Sequence, residues 1–377
     1  MVGVDGMVGE ANILIYAGGS VFGRLLAADL LAHTAACLFL VGPPGGPEAR
    51  AAHELDPTGT RVRAGQADLA DEAGMVQLLE GMNVAICCVR GFRGVPATLI
   101  DACTARGVAY FDIADNRAFV HRVLGRRAAI EASGITAGTG LGMLPGLSAP
   151  MTRYLVEQLA LYETARVDVA VFIGSHRARG VGALASALRC AGRPLARNIY
   201  GWSGRQRPRF PPPIGKRPVY NFDAPDYDLF PVLFGVRQDR IRVRMGFELD
   251  IVNRVLAILG LLRRLGWRWR YKSPLITLLL GVSAPLRALG EDGGALQATA
   301  RGIASRPGHH AVIRAGTMNI VASDARLLFV LPCALAVARY LDGQLTPGLL
   351  DWRTWIDPAE LWDALRARGL SVDWKAE

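Results

Sequence analysis

Residues 13–31 read "ILIYAGGSVFGRLLAADLL", and they decide the fold. Ile13 to Tyr16 form a short apolar run, the pattern of a parallel strand buried on both faces. From Val21 onward, Leu25, Leu26, Ala28, Leu30 and Leu31 make a mostly apolar helical segment. Gly18-Gly19-Ser20-Val21-Phe22-Gly23 therefore lies between a strand and a helix. That is the context in which G-x-G-x-x-G reads as a dinucleotide-binding turn. The first glycine of that pattern permits the tight turn, and the last lets the helix pack closely on the strand. The middle position, where the backbone approaches a pyrophosphate, is Ser20. Its side chain is small and its hydroxyl can donate to a phosphate, while the helix N-terminus still offers backbone N–H groups and a positive dipole end. The alternative is a glycine-rich turn that has lost its cofactor.

Outward from the turn, "CLFLVG" (37–42) is a second strand. An NAD site places Asp or Glu about 20 residues past the glycines. The sequence there is Gly42-Pro43-Pro44-Gly45-Gly46-Pro47, with no acid and no arginine before Arg50. This points to NADP, with NAD left open. "TRVRAGQADL" predicts a third strand ending near Asp68, "DEAGMVQLLEGM" a helix, and "NVAICCV" a fourth strand running into Arg90-Gly91-Phe92. "GVPATLIDACTARG" reads as a helix and "VAYFDIAD" as the next strand. A βαβαβ rhythm of this kind means a doubly wound parallel sheet.

Three stretches now carry a resemblance: "ILIYAGGSVFGRLLA", "VAICCVRGFRGVPATLIDACTARGVAYFDIADNRAFV" and "GMLPGLSAPM". In order and spacing they resemble the saccharopine dehydrogenase-like oxidoreductases over nearly all of the first 150 residues. That family has a GG-x-G-x-F-G turn and a strand leading into a Gly-Pro-Phe-like loop. A helix with a cysteine near its end follows, then a Tyr-x-Asp-x-x-Asp/Glu strand end. Ser20, Ala17 and Arg90 depart from it. The resemblance implies an N-terminal Rossmann domain for NAD(P), a second domain for substrate, and hydride transfer, in the founding members to or from a C–N bond.

On this reading the fold class is α/β: a Rossmann doubly wound parallel sheet plus a second α+β domain with a largely antiparallel or mixed sheet. The expected divisions are 1–149, 150–322, and a helical segment 323–377 returning to the first domain. NAD(P) is expected on Gly18, Gly19, Ser20, Val21, Phe22 and Gly23, with Asp68 and the loop Val89, Arg90, Gly91, Phe92 beside it. The nicotinamide is expected to face Asp115 and Arg117, with Tyr110 or Asp115 as proton donor to a C=N, C=O or C=C bond of a small-molecule substrate. The competing role for Asp115 is a helix cap, shared as a candidate with Asn116; Asp112 reads as structural. The competing function is a non-catalytic Rossmann scaffold, membrane-associated or regulatory.

Other motifs are less committed. His176, Arg177 and Arg179 precede a small-residue helix near Gly182, which suits an anionic group or a solvated basic loop. Asp223, Asp226 and Asp228 match no calcium loop and read as a structural loop. No tyrosine has a lysine four residues later, so the short-chain dehydrogenase pair is absent. "GWSGR" and "PGLSAP" do not supply the G-x-S-x-G of a hydrolase elbow.

The bulk composition bounds the rest. The chain of 377 residues is 51% hydrophobic, ample for two cores. The net charge of +10 is almost wholly arginine, with only Lys216, Lys272 and Lys375 as lysines. No RNP, zinc-finger or basic-zipper pattern accompanies it, so nucleic acid is not expected as a partner. Cys37, Cys87, Cys88, Cys103, Cys190 and Cys333 form no Cys-x-x-Cys and no zinc spacing, so no metal is expected. Reduced thiols and a cytoplasmic location follow, the N-terminal stretch having no signal-peptide pattern. The mean hydropathy of +0.23 has its source in 251–286, "IVNRVLAILGLLRRLGWRWRYKSPLITLLLGVSAPL". Its two apolar segments are each too short to span a bilayer. Trp267 and Trp269 among arginines suit peripheral contact with an anionic membrane at its inner face. A pair of core helices, or an interface between two copies of the chain, explains the same stretch.

Overall fold

The structure, a computed structural model, describes residues 11–89, 91–174, 187–267, 290–304 and 311–377. Arg90, His176, Arg177, Arg179, Gly182, Trp269 and the part of 251–286 beyond Trp267 lie outside the described residues. The chain divides into two compact units. One runs to Gly146 and takes in Phe329–Ile356; the other holds Leu147–Leu328 and Asp357–Glu377.

The first unit alternates strand and helix. In chain order it has β1 (Asn12–Tyr16), α1 (Val21–His33), β2 (Cys37–Gly42), α2 (Glu48–Leu55), β3 (Val62–Gln66) and α3 (Glu72–Leu78). β4 (Val84–Cys87), α4 (Thr98–Arg106), β5 (Ala109–Asp112), α5 (Arg117–Leu124), α6 (Arg127–Ser133) and β6 (Thr136–Gly138) follow. The strands lie in the order β3-β2-β1-β4-β5-β6, all parallel. All of β2, β4 and β5 is buried, as is β1 after Asn12. Helices cover both faces of such a sheet, so its strands need apolar side chains at successive positions. The order reverses direction between β1 and β4. In open α/β sheets this switch point leaves a crevice at the carboxyl ends of the strands.

The second unit opens with α7 (Ser148–Gln158) and the long β7 (Leu161–Ile173). After it come β8 (Pro194–Ala196), β9 (Ile199–Tyr200), β10 (Tyr220–Asn221), α8 (Asp226–Phe234), β11 (Ile241–Phe247), α9 (Asp250–Arg264), β12 (Gly294–Ala304) and β13 (Val312–Ala322). The chain continues through α10 (Leu327–Leu341) and β14 (Gly348–Leu349) to α11 (Pro358–Ala367) and β15 (Ser371–Ala376). The second sheet has the order β10-β11-β7-β12-β13-β15. Only β7 and β11 are parallel; the other neighbours are antiparallel, giving the mixed α+β architecture. On one part of it Phe210 and Ile214 pack over Phe172, Val219, Ala295 and Val321. Tyr154 of α7 meets Trp362 of α11 and Trp374 of β15 edge-on, at 5.9 and 5.7 Å between ring centres.

One sequence expectation changes here. The segment 323–377 does not return to the first unit as a whole. β14 extends the parallel sheet beside β6, but β15 pairs with β13 in the other sheet. The pattern of β15, Ser371-Val372-Asp373-Trp374-Lys375-Ala376, is too polar to announce a strand, and pairing with β13 is what makes it one. α10 runs for 15 residues with Pro332 in its interior. The helix lies in a strongly apolar setting where burial outweighs the one backbone donor that proline lacks. Asp357 caps α11 by accepting from Ala359 N at 2.9 Å, with Pro358 at its first position.

α9 buries Asn253, Leu256, Leu259 and Gly260 and turns Ile251, Ile258, Leu261 and Leu265 outward, followed by exposed Trp267. Among the described residues no helix is long and apolar enough to cross a membrane.

Candidate functional site

The turn from β1 to α1 is set by steric fit. Ala17 adopts the left-handed conformation, φ 59°, and its N–H donates to Val41 O at 2.6 Å. The tight bend thus falls at Ala17, not at Gly18 as the sequence pattern implied. Gly18 is needed for space: a Cβ there would lie 2.9 Å from Ile15 O and from Leu40. A Cβ on Gly19 would meet Glu48 N at 2.7 Å and Pro47 C at 2.8 Å. On Gly23 it would meet Ala17 O at 2.4 Å and Gly18 Cα at 2.7 Å. Gly23 is therefore the close-packing glycine that brings α1 against the end of β1.

Ser20 is the N-cap of α1, its Oγ accepting from Gly23 N at 3.1 Å. Capping uses a lone pair, so the hydroxyl hydrogen stays available to donate. Val21 is exposed at the first helical position, and no acidic residue stands in the first turn of α1. Phe22 packs on Phe329 of α10, 5.1 Å between ring centres, which makes it a packing residue. A helix N-terminus with uncommitted N–H groups, facing the switch point, is a cradle for an anionic group.

Beside the turn, Tyr16 OH donates to Ala67 O at 3.1 Å, and burial pushes its phenol up. Asp68 is exposed and shapes the approach to α3, its Oδ1 accepting from Ala70 N at 2.9 Å. Val89 is half-buried at the end of β4. Gly91 and Phe92 both take positive φ, 73° and 42°. That bend sends the Phe92 ring inward, 2% exposed and 4.7 Å from the Phe119 ring. Its side chain belongs to the core, and only its backbone lies in the loop.

β5 ends in a buried network. Tyr110 OH donates to Asp112 Oδ2 at 3.0 Å, while Asp112 Oδ1 accepts from Ala114 N at 2.9 Å and Gly140 N at 2.8 Å. Burial pushes the Asp112 carboxyl up to about 6, although these donors pull the other way. Burial and the Asp112 charge push the Tyr110 phenol far up. Tyr110 is 1% exposed, so the expectation of Tyr110 as a proton donor to substrate is corrected: its proton serves Asp112. Asp112 ties β5 to the loop after β6, a structural role. Asp115 and Arg117 follow at the carboxyl edge, both half-buried. Asn116 between them is the cap of α5, accepting from Phe119 N at 3.1 Å.

The sequence reading missed Glu48. It stands one residue beyond the Gly42–Pro47 stretch and is 4% exposed. Its carboxylate reaches back to the glycine turn, Oε1 accepting from Gly19 N at 3.4 Å. Arg50, by contrast, points outward and pairs with Glu54 at 2.7 Å. The signal available was Gly42 and Gly46 just ahead of an acid, since only missing side chains at these two positions leave room for a carboxylate there.

A cleft of about 410 Å³ lined by Asn83, Thr136, Tyr340 and Pro347 lies at the amino edge of the same sheet, the opposite end from the turn. Among the described residues no cluster of His, Cys, Asp or Glu is arranged to hold a metal. The Asp226 carboxyl, expected in a loop, is buried at the start of α8 and accepts from Ser148 Oγ at 2.5 Å. Burial pushes it up to about 6.

No protein-family model and no curated protein matches the chain. Among solved structures, apo saccharopine dehydrogenase (L-Glu forming) from Saccharomyces cerevisiae is similar over 97% of this chain and 100% of that one, with TM-score 0.63 and 14% identity. A putative dehydrogenase from Burkholderia cenocepacia with bound NADP aligns over 36% of this chain and 70% of its own, TM-score 0.27 and 16% identity. A short-chain dehydrogenase/reductase from Veillonella parvula in complex with NADP aligns over 27% and 46%, TM-score 0.24 and 18% identity. The likeness to the yeast enzyme, at this identity, is a likeness of fold: a Rossmann-type parallel sheet joined to a mixed α+β sheet.

Proposed function

We propose that the chain is an oxidoreductase that binds a nicotinamide dinucleotide at the carboxyl edge of its parallel sheet. The Ala17–Gly23 turn carries this reading. It joins β1 to α1 at the switch point, has three glycines where a Cβ would collide, and ends in a serine-capped helix. Gly18, Gly19 and Ser20 would let the pyrophosphate approach the backbone, and the N-terminal N–H groups of α1 would bind it. Ser20 would add its hydroxyl hydrogen. Val89 and Gly91 at the end of β4 would border the dinucleotide, as would Asp68 beyond β3.

A bound nicotinamide would supply a hydride to a C=N, C=O or C=C carbon of a small substrate, or in the reverse direction take one from the corresponding saturated C–H carbon. Reduction leaves an anion that needs one proton. Asp115, half-buried at the end of β5, is our candidate for that proton, and Arg117 for orienting an anionic substrate group. The fold shared with the yeast saccharopine dehydrogenase supports hydride chemistry as the class.

The test is a titration of the purified chain with NADH and NADPH, followed by nicotinamide fluorescence and by melting temperature. A ligand that binds only the folded state raises the melting point by mass action. Micromolar binding of either cofactor, weakened at least about tenfold by Gly19→Val, supports the reading. Absence of binding by either cofactor, reduced or oxidised, turns it down in favour of a non-catalytic Rossmann scaffold.

A further inference from the structure

Glu48 is a buried acid with too few partners. It is 4% exposed, and its one hydrogen bond among the described residues, from Gly19 N, is long at 3.4 Å. An ionised carboxylate has about four acceptor positions. Burying one so sparsely bonded is unfavourable unless something else donates to it. The start of α2 offsets part of that cost, since a helix N-terminus favours a negative charge.

The surroundings form a slot around this carboxylate. A Cβ on Gly42 would lie 2.2 Å from its Oε1, and one on Gly46 would lie 2.1 Å from its Oε2. Side chains at either position would evict it. The slot lies at the end of β2, against the second glycine of the β1–α1 turn. In doubly wound sheets the adenosine ribose of a dinucleotide lies against the end of the second strand.

Resting on the dinucleotide reading above, we infer that Glu48 accepts hydrogen bonds from the 2′- and 3′-hydroxyls of that ribose and so selects NAD(H) over NADP(H). The unused acceptor positions match the two O–H donors of a vicinal diol. A 2′-phosphate offers an ionised acceptor instead of a donor, and places its charge against a carboxylate already short of partners. The arginine best placed in sequence to neutralise such a phosphate, Arg50, is turned outward and held by Glu54. Glu48 thus stands six residues after Gly42 in the chain but at the end of β2 in space, which reverses the preference for NADP that the sequence suggested.

The experiment measures dissociation constants of NADH and NADPH for the full chain and for Glu48→Gln, with melting curves for both proteins. Wild type is expected to bind NADH about 100-fold more tightly than NADPH, and Glu48→Gln to narrow that ratio to about tenfold or less. The narrowing should combine weaker NADH and stronger NADPH binding. Equal or tighter NADPH binding by wild type overturns the inference and leaves the dinucleotide reading standing. Tighter binding of both cofactors by Glu48→Gln, in equal measure, also overturns it and makes Glu48 a plug in the site. If neither cofactor binds wild type, both readings fall together. Should Glu48→Gln not fold, the wild-type ratio decides alone.

Discussion

At the scale of single residues, the β1–α1 turn shows how a sequence pattern is met by different residues from those the pattern names. The left-handed position belongs to Ala17, and a non-glycine residue there costs roughly 1–2 kcal/mol. Ala17→Gly is therefore expected to stabilise the chain by about 1 kcal/mol in urea unfolding; an unchanged or lower midpoint would contradict it. Gly23 has the opposite constraint. Its φ is unremarkable, but a methyl group would press on Ala17 O and Gly18 Cα, both backbone atoms that cannot move aside. Gly23→Ala should destabilise by about 1–3 kcal/mol and weaken any dinucleotide, because the start of α1 must shift. A neutral outcome in the same assay would mean the helix has slack that the close contacts do not show. Glu48 belongs to this scale too. Its chemistry is visible in the sequence, but its place beside Gly19 depends on a reach back across the turn.

At the scale of elements, the periodicity of the first unit was legible because its central strands are buried on both sides and its helices on one. The runs "ILIY", "CLFLVG" and "VAIC" could be little else once glycines and amphipathic helices separated them. α9 illustrates the limit of such reading. Its middle, residues 255–262, is apolar all round, and there only packing sorts the faces. Leu256 is 1% exposed, whereas Ile258 is 58% and Leu261 53% exposed. Leu256→Ala should cost about 2–5 kcal/mol. Ile258→Ser and Leu261→Ser should each stay within about 0.5 kcal/mol of wild type. Chemical denaturation of the three variants checks the pair of expectations, and comparable losses at all three sites would mean the outward stripe is covered by another surface in solution.

At the scale of the whole molecule, two buried carboxyls make stability depend on pH. Asp112 and Asp226 are pushed by burial from 3.8 up to about 6. In each case the folded chain holds its proton more tightly than the unfolded chain does. The stabilisation this gives is fully present below about pH 4 and is lost as pH rises through about 6. For each carboxyl the difference between the folded and unfolded chain corresponds to roughly 3 kcal/mol. Asp226→Asn does not titrate, so the stability of wild type relative to this variant should fall by about that amount between pH 4 and 7. Parallel pH profiles for the two proteins would remove Asp226 as the cause. The thiols give an independent check on the packing of both units. All six cysteines are free and buried, and burial pushes each thiol up. A thiol-reactive dye should therefore label the native chain far more slowly than the urea-unfolded chain. Rapid labelling of a native thiol would locate a local opening.

The sequence by itself determined the parallel sheet and the position of the β1–α1 turn, while the second, mixed sheet was expected from the family resemblance. The first two follow from local alternation, glycine placement and the order of strands and helices, all of which are written along the chain. Tertiary structure decided which of the candidate side chains are buried and what they contact. Tyr110 and Phe92 look like functional residues in sequence but are buried, one bonded to Asp112 and the other packed on Phe119. Glu48 looks like an ordinary helix residue but sits buried against Gly19, at the end of another strand. The division of the C-terminal segment between the two sheets was likewise decided by pairing between β15 and β13, some 50 residues apart in the chain. The physical reason is common to these cases. Periodicity reports which face of an element is apolar, whereas burial of a particular polar atom depends on neighbours brought from distant parts of the sequence.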